Sequence, residues 1–465
     1  MRRTNEGALA YEHSLDHCVE FFSKAGSLFV GRGSFYGQEE SALGLFQKAW
    51  IVDKVTSMKL LFWLRDFRNG GAGNRSGFRE CVRWLADFDP EWVKVNLDLI
   101  PEYGRWDDLK ALFGTQLEEE ASRLWACAIR DGNVLATKWC DRSIYQVRKQ
   151  LGLKVGEFRR LLAKIRKDHI VEHKMCHNLW KEIEYGKVPS IAMARYTNAF
   201  RRHDEERFLK YLEDLRAGRE KIQAKALFPH DCVRTARYGN GDVADEQFEN
   251  LPNYIDGLKE RIIVISDTSG SMDAPISGSI KAVDISQGLA LYCSAKIPED
   301  NPFHKKFIAF CSESEFKNWN GMKFSEAVNN REIFDRAVGA TRIDKALDLI
   351  LKTAQFFNLE NDKMPTTLLI VSDMQFHEGC ESDETEIERC LKKWDRAGYT
   401  RPKIVYWNTA GYLGQQATVT HSDVALISGF NVGILKSLFA GDRFDPKSVM
   451  LRAIEPYRIR VPEGE

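Results

Sequence analysis

The spacing of hydrophobic residues changes once along the chain, near residue 255. Up to about residue 250, apolar residues recur three and four positions apart, as in Val55–Phe67, Gly77–Phe88 and Gln116–Arg130, which is the spacing of amphipathic helices. Gly- and Asn-bearing loops such as 68–74 separate these segments, and eight of the eleven Trp fall in this half. An irregular helical-repeat-like scaffold follows from successive short helices with an aromatic interior. From about residue 258, short β-branched runs alternate with amphipathic stretches. Strands are expected at Arg261–Asp267, Lys306–Cys311, Thr366–Asp373, Pro402–Trp407 and Val424–Ile427. Helices are expected near 282–296, 343–357 and 384–397. Such alternation gives a mostly parallel sheet covered on both faces. The predicted class is therefore α + α/β: a helical region over 1–255, then a Rossmann-like sheet region over 256–465. The polar, acidic stretch 240–253 reads as the linker between them.

The sharpest chemical signal stands at the end of the first predicted strand. Asp267-Thr268-Ser269-Gly270-Ser271 puts one carboxylate and two hydroxyls at the carboxyl edge of an open α/β sheet, where such sheets bind ligands. A tight turn, which Gly270 permits, is expected to aim these oxygens at one point. Asp373 follows its strand as Asp267 follows its own, and Thr341 precedes a helix within reach of the same edge. Oxygen ligands of this kind suit Mg²⁺, Ca²⁺ or Mn²⁺ and not Zn²⁺. Asp267, Ser269, Ser271, Thr341 and Asp373 resemble, in type and in order, the metal-ion-dependent adhesion site of von Willebrand factor A domains. That resemblance covers some 200 residues of the sheet region. It implies that the serines and the threonine ligate the metal, that the aspartates act directly or through water, and that a partner's carboxylate or water completes the shell. No His or Lys adjoins the set as a general base; His377 is the nearest and reads as a loop residue. The site is expected to bind and not to catalyse.

Charge narrows the choice of partners. Lys plus Arg and Asp plus Glu both number 67, so bulk charge drives no binding to nucleic acid or membrane. The exception is 142–174, with ten basic and three acidic residues. Within it Arg159, Arg160, Lys164, Arg166 and Lys167 crowd one helix, and Arg159, Arg160, Lys164 and Lys167 are the candidate phosphate contacts. No apolar run approaches the roughly 20 residues that span a bilayer, and residues 1–6 lead into no apolar signal core. Ten scattered Cys without a CxxC pair fit reduced thiols in a cytoplasm. His169-Ile170-Val171-Glu172-His173 spells a zinc-peptidase motif, but no distant carboxylate completes it, and it reads as an ordinary helix. Gly70–Ser76 lacks the Lys-Ser/Thr ending of a phosphate loop and follows a helix, so it reads as a helix-to-helix turn.

A helical half joined to a von Willebrand A-like half resembles the Ro autoantigen (TROVE) architecture. More closely, the chain resembles a Ro-like family catalogued as domain of unknown function 2828. The segments that carry this likeness are Leu60–Asp66, Leu99–Leu109, Val188–Met193, Asp267–Met272 and Ala425–Phe430. The resemblance to Ro proteins implies RNA binding by the helical half, by analogy of architecture. The expected function is that of a non-catalytic RNA-binding protein whose metal site, loaded with Mg²⁺ or another hard divalent cation, docks a protein partner's carboxylate. The alternative is a metal-dependent protein–protein adaptor or assembly component without RNA.

Overall fold

The computed structural model describes residues 1–30, 40–167, 169–334, 339–379 and 383–465. Among the described residues of the first half, helix follows helix. Val55–Phe67 and its neighbours materialise as Lys54–Arg65, Arg75–Phe88 and Glu118–Arg130. Asp53 and Asn74 cap the first two by accepting Thr56 and Gly77 N–H, which satisfies donors that the first turn leaves without partners.

The second half holds a six-stranded sheet. Its strands are β1 (Ile262–Asp267), β2 (Lys306–Phe310), β3 (Ser314–Asn318), β4 (Thr367–Ser372), β5 (Lys403–Asn408) and β6 (Val424–Ser428). They lie in the order β6-β5-β4-β1-β2-β3, all parallel except the β2–β3 pair. Strands β1 and β4 are buried along their whole length, as continuous apolar runs flanked by helices on both faces require. The helices Ala282–Lys296, Ile343–Phe356 and Glu386–Arg396 stand where the periodicity puts them.

The stretch expected to be a linker is instead helical over Gly241–Glu249. Its acidic residues mask three apolar ones, and Val243, Ala244 and Phe248 are all buried. Phe248 stacks on Phe324 with centroids 4.0 Å apart. Secondary structure changes type near residue 255, yet one cluster of buried hydrophobic residues runs from Ala8 through Leu162 and on from Ala224 to Tyr457. A second, smaller cluster spans Ile183 to Val243.

Contacts at several places join the first half of the chain to the second. Ser27 donates its hydroxyl to Asn408 O at 2.7 Å and accepts Gly429 N–H at 2.9 Å. The 66–74 turn packs on the loop after β6, where Asn431 donates to Gly71 O. There Gly70 has φ of +92°, and a Cβ would come within 2.9 Å of Gly433 C, so no side chain fits. This glycine-rich turn is a packing element between two helices. Returning from the C-terminus, Tyr457 donates to the buried Asp66 at 3.0 Å.

Candidate metal centre

Parallel pairing places the central residues. Register pairs Ser266 with Val371, which sets Asp267 beside Ser372 at the carboxyl edge of the sheet. The Ser372 hydroxyl donates to Asp267 Oδ2 at 2.6 Å, and Ser269 N–H donates to Asp267 Oδ1 at 2.9 Å. That second bond turns the chain, as an Asp carboxylate often does two residues on. Gly270 has no left-handed φ, and a Cβ there would meet nothing within 4 Å. The turn therefore owes its shape to Asp267, and the glycine expected to permit it is not required. It brings the Ser269 and Ser271 hydroxyls to 3.2 Å of each other.

Asp373, the next residue after β4, completes the acidic pair. Its Oδ1 accepts Gln375 N–H at 3.1 Å, while its Oδ2 is buried with no hydrogen-bond partner among the described residues. Burial first and the neighbouring Asp267 charge second push this carboxyl up to about 7, with Ser271 and the Gln375 N–H pulling down. Burial also raises Asp267, against its bonds to Ser372 and Ser269. Two buried carboxylates that no cation pairs with among the described residues are costly. The backbone bends sharply behind them: Met374 holds φ of +64°, a conformation that non-glycine residues keep only where the surroundings enforce it.

Thr341 reaches this loop through His377. Thr341 N–H donates to His377 Nδ1 at 2.7 Å, and His377 N–H donates to Thr341 O at 2.9 Å. A nitrogen that accepts a backbone N–H carries no proton, so the ring proton sits on Nε2 and faces Glu6 Oε2 at 2.7 Å. Glu6 belongs to a hairpin formed by Arg2–Arg3 and Leu9–Ala10, which lies along residues 375–378. Thr4 donates to Phe376 O, Asn5 N–H to Gln375 Oε1, and Arg3 pairs with Glu378 at 2.7 Å. Asp267, Ser269, Ser271, Thr341 and Asp373 are all buried, at 0–5% exposure. Hydrogen bonds thus join the DxSxS turn directly to Ser372, and the charge of Asp267 acts on Asp373. Thr341 is tied to the same loop by His377. Neither Ser372 nor Glu6 could be read from sequence, because both enter through long-range pairing.

The donor set fits a hard divalent cation: hydroxyls, two carboxylates and one orphaned buried carboxylate oxygen. Among the described residues no group of three or more His, Cys, Asp or Glu could hold a metal. The His169–His173 motif accordingly forms no such group: His173 and His177 stack at 4.1 Å, and Glu172 faces Lys138 and Tyr196.

The candidate phosphate contacts lie elsewhere. Arg159, Arg160 and Lys164 sit on the Val155–Arg166 helix and Lys167 just beyond it, all exposed. Phe158 and Leu162 bury the opposite face. Arg166 differs from these four, because it donates to Thr137 O and Cys140 O and anchors the helix.

The family model described as domain of unknown function 2828 matches residues 4–124 and 138–262, more than half of the chain. The chain belongs to this family. A second model, domain of unknown function 7788, matches residues 261–455 of this DUF2828 member. The two matches meet at the start of β1. This member is also similar to "Uncharacterized protein L728" of Acanthamoeba polyphaga mimivirus. The two are 26% identical over an alignment of 523 residues, covering 98% of this chain and 87% of the viral protein. Among the described residues no helix is long and apolar enough to cross a membrane.

Proposed function

We propose that this DUF2828 member is a non-catalytic, Ro-like RNA-binding protein. In this reading the sheet region is a von Willebrand factor A-like module that docks a protein partner through a divalent metal, Mg²⁺ in the first place. The orphaned Asp373 Oδ2, buried beside a second carboxylate and two hydroxyls, is the observation that carries the metal site. Ser269, Ser271, Thr341 and Asp373 would hold the ion. Asp267, with both oxygens already engaged, would orient Ser269 or act through water. A bound cation supplies an open position for a carboxylate oxygen. The chain's own residues bury the donors, fix their rotamers and exclude water.

Two features support a binding role without chemistry. Both ring nitrogens of His377 are engaged, by Thr341 and Glu6, so this histidine offers the site no free base. The RNA part rests on Arg159, Arg160, Lys164 and Lys167, none of which has an ion-pair partner among the described residues. A solvated row of like charge meets a polyanion without a geometric demand.

RNA retained on the purified full chain and released by salt is the expected result. A chain that purifies free of RNA, and binds no labelled RNA even at low salt, would contradict it. A metal-dependent protein partner found under those conditions would establish the adaptor reading instead.

A further inference from the structure

Five arginines gather at one end of the Lys54–Arg65 helix, against two carboxylates. Asp108 accepts from Arg65 Nε at 2.6 Å, Arg79 Nε at 2.7 Å and the Arg105 backbone N–H at 2.8 Å. Asp107 pairs with Arg79 at 2.8 Å and only loosely with Arg75, at 3.9 Å. Arg68 donates to Glu102 O. Asp66 is turned away, its oxygens taken by Arg68 N–H, Asn69 N–H and the Tyr457 hydroxyl. Gly104 makes this crowding possible, since a Cβ there would come within 2.6 Å of Asp108 Oδ2.

Ion pairing accounts for Arg79 and for one edge of Arg65, and leaves three sets of donors over. Arg65 Nη2 is buried with no acceptor among the described residues, on a side chain only 3% exposed. Arg75 is exposed. Arg105 is half-buried, its guanidinium 5.4 Å from the Phe67 ring and 4.4 Å from the Trp139 ring. Stacking satisfies the faces of a guanidinium and none of its N–H groups. The Arg105 side chain has no hydrogen bond or ion pair among the described residues. Arg65 and Arg68 crowd the same Phe67 ring, at 5.4 and 4.3 Å. Burial, then Arg65 and Arg75, hold the Arg105 guanidinium down to about 10. An uncompensated excess of positive charge with spare planar donors is the chemistry of an oxyanion site.

We propose that Arg105 and Arg75, with the buried Arg65 guanidinium adding positive charge behind them, form a phosphate-binding fork for the backbone of RNA, an assignment that rests on the RNA reading above. The fork adjoins the basic helix. Trp139 ends the Val134–Trp139 helix, and Arg166 ties Val155–Arg166 to that helix through Thr137 O and to the adjacent Cys140 O. The four exposed cations and the fork thus lie on touching elements.

The test is equilibrium binding of a fluorescein-labelled single-stranded RNA to the full chain and to Arg105→Gln and Arg105→Lys, across a salt series. Arg105→Gln weakens binding about tenfold and makes the log–log salt slope shallower by about 0.7. Arg105→Lys keeps the slope and loses several-fold in affinity, because an ammonium has no fork. Arg75→Gln, on an exposed side chain, gives the same slope change if Arg105→Gln melts early. Wild-type binding with unchanged affinity and slope in the Gln variants would overturn the fork and leave the RNA reading intact. A wild-type chain that binds no RNA would overturn that reading, and inorganic phosphate then decides the fork. A rise in melting temperature over chloride at matched ionic strength, absent in Arg105→Gln, would uphold an oxyanion site; no such rise would overturn it.

Discussion

The carboxyl edge of the sheet and the outer face of the Val155–Arg166 helix carry opposite charge and are built in opposite ways. At the edge, five oxygen-bearing side chains are buried, and contacts to Ser372, His377 and Gln375 fix their surroundings. Low dielectric there makes the two carboxylates repel strongly. On the helix, the four cations extend into water, where salt screens them and no partner among the described residues fixes their geometry. The first arrangement suits one small ion held in a defined shell, and the second suits a polyanion whose phosphates need only nearby positive charge. A buried constellation is a specific claim about atoms; a solvated row is a claim about counterions.

Metal should show the largest effect. In chemical denaturation, Mg²⁺ at a hundred times its Kd is expected to raise stability by about 2.7 kcal/mol, and Asp373→Asn should abolish that response. Without metal, the sign of the pH dependence follows from Asp373. Its carboxyl titrates near 7 in the fold and near 3.9 unfolded, so the folded state holds the extra proton between these values. Stability contributed by this group is therefore full below about pH 4, falls as pH rises to about 7 and is flat above. Asp373→Asn should flatten that fall, read as unfolding midpoints across pH.

The helix face answers to a different measurement. Changing Arg159, Arg160, Lys164 and Lys167 together to Ala should flatten the log–log salt slope of RNA binding by about 3, at roughly 0.7 per phosphate contact. Binding should weaken alike for different sequences. Folding stability should stay within about 0.5 kcal/mol, since the side chains are exposed. An unaltered slope would move the RNA grip off this helix.

A third variant sharpens how the edge is supported. His377→Ala removes the ring that accepts Thr341 N–H and should weaken Mg²⁺ about tenfold, as loss of a ligand's positioning partner does. Calorimetry would show it. The smallest effect tests whether the two regions act separately: Asp267→Ala should leave RNA affinity within about threefold, under 1 kcal/mol. A larger loss would couple metal and RNA.

Much of the fold could be read from sequence because the sheet strands are unbroken apolar runs. RIIVISD and TTLLIVSD announce both β1 and β4 and the aspartates that end them. Strand β3, Ser314–Asn318, left no such trace, since an edge strand facing water has little apolar pattern. The hairpin carrying Glu6 has strands of two residues each, fixed by contacts some 370 positions away. Gly241–Glu249 was hidden by its own acids. The Arg105 cluster had no local signature either, because Arg65, Arg75, Arg105 and Trp139 come from four separate segments.

Counting bound Mn²⁺ by electron paramagnetic resonance tests the central claim most directly, on the wild-type chain and on a Ser269→Ala/Ser271→Ala variant. These two changes remove the paired hydroxyls and keep both carboxylates. The account predicts one tightly held ion per chain, displaced by Mg²⁺, in the wild type and none in the variant. An ion held equally by both, or by neither, would contradict it.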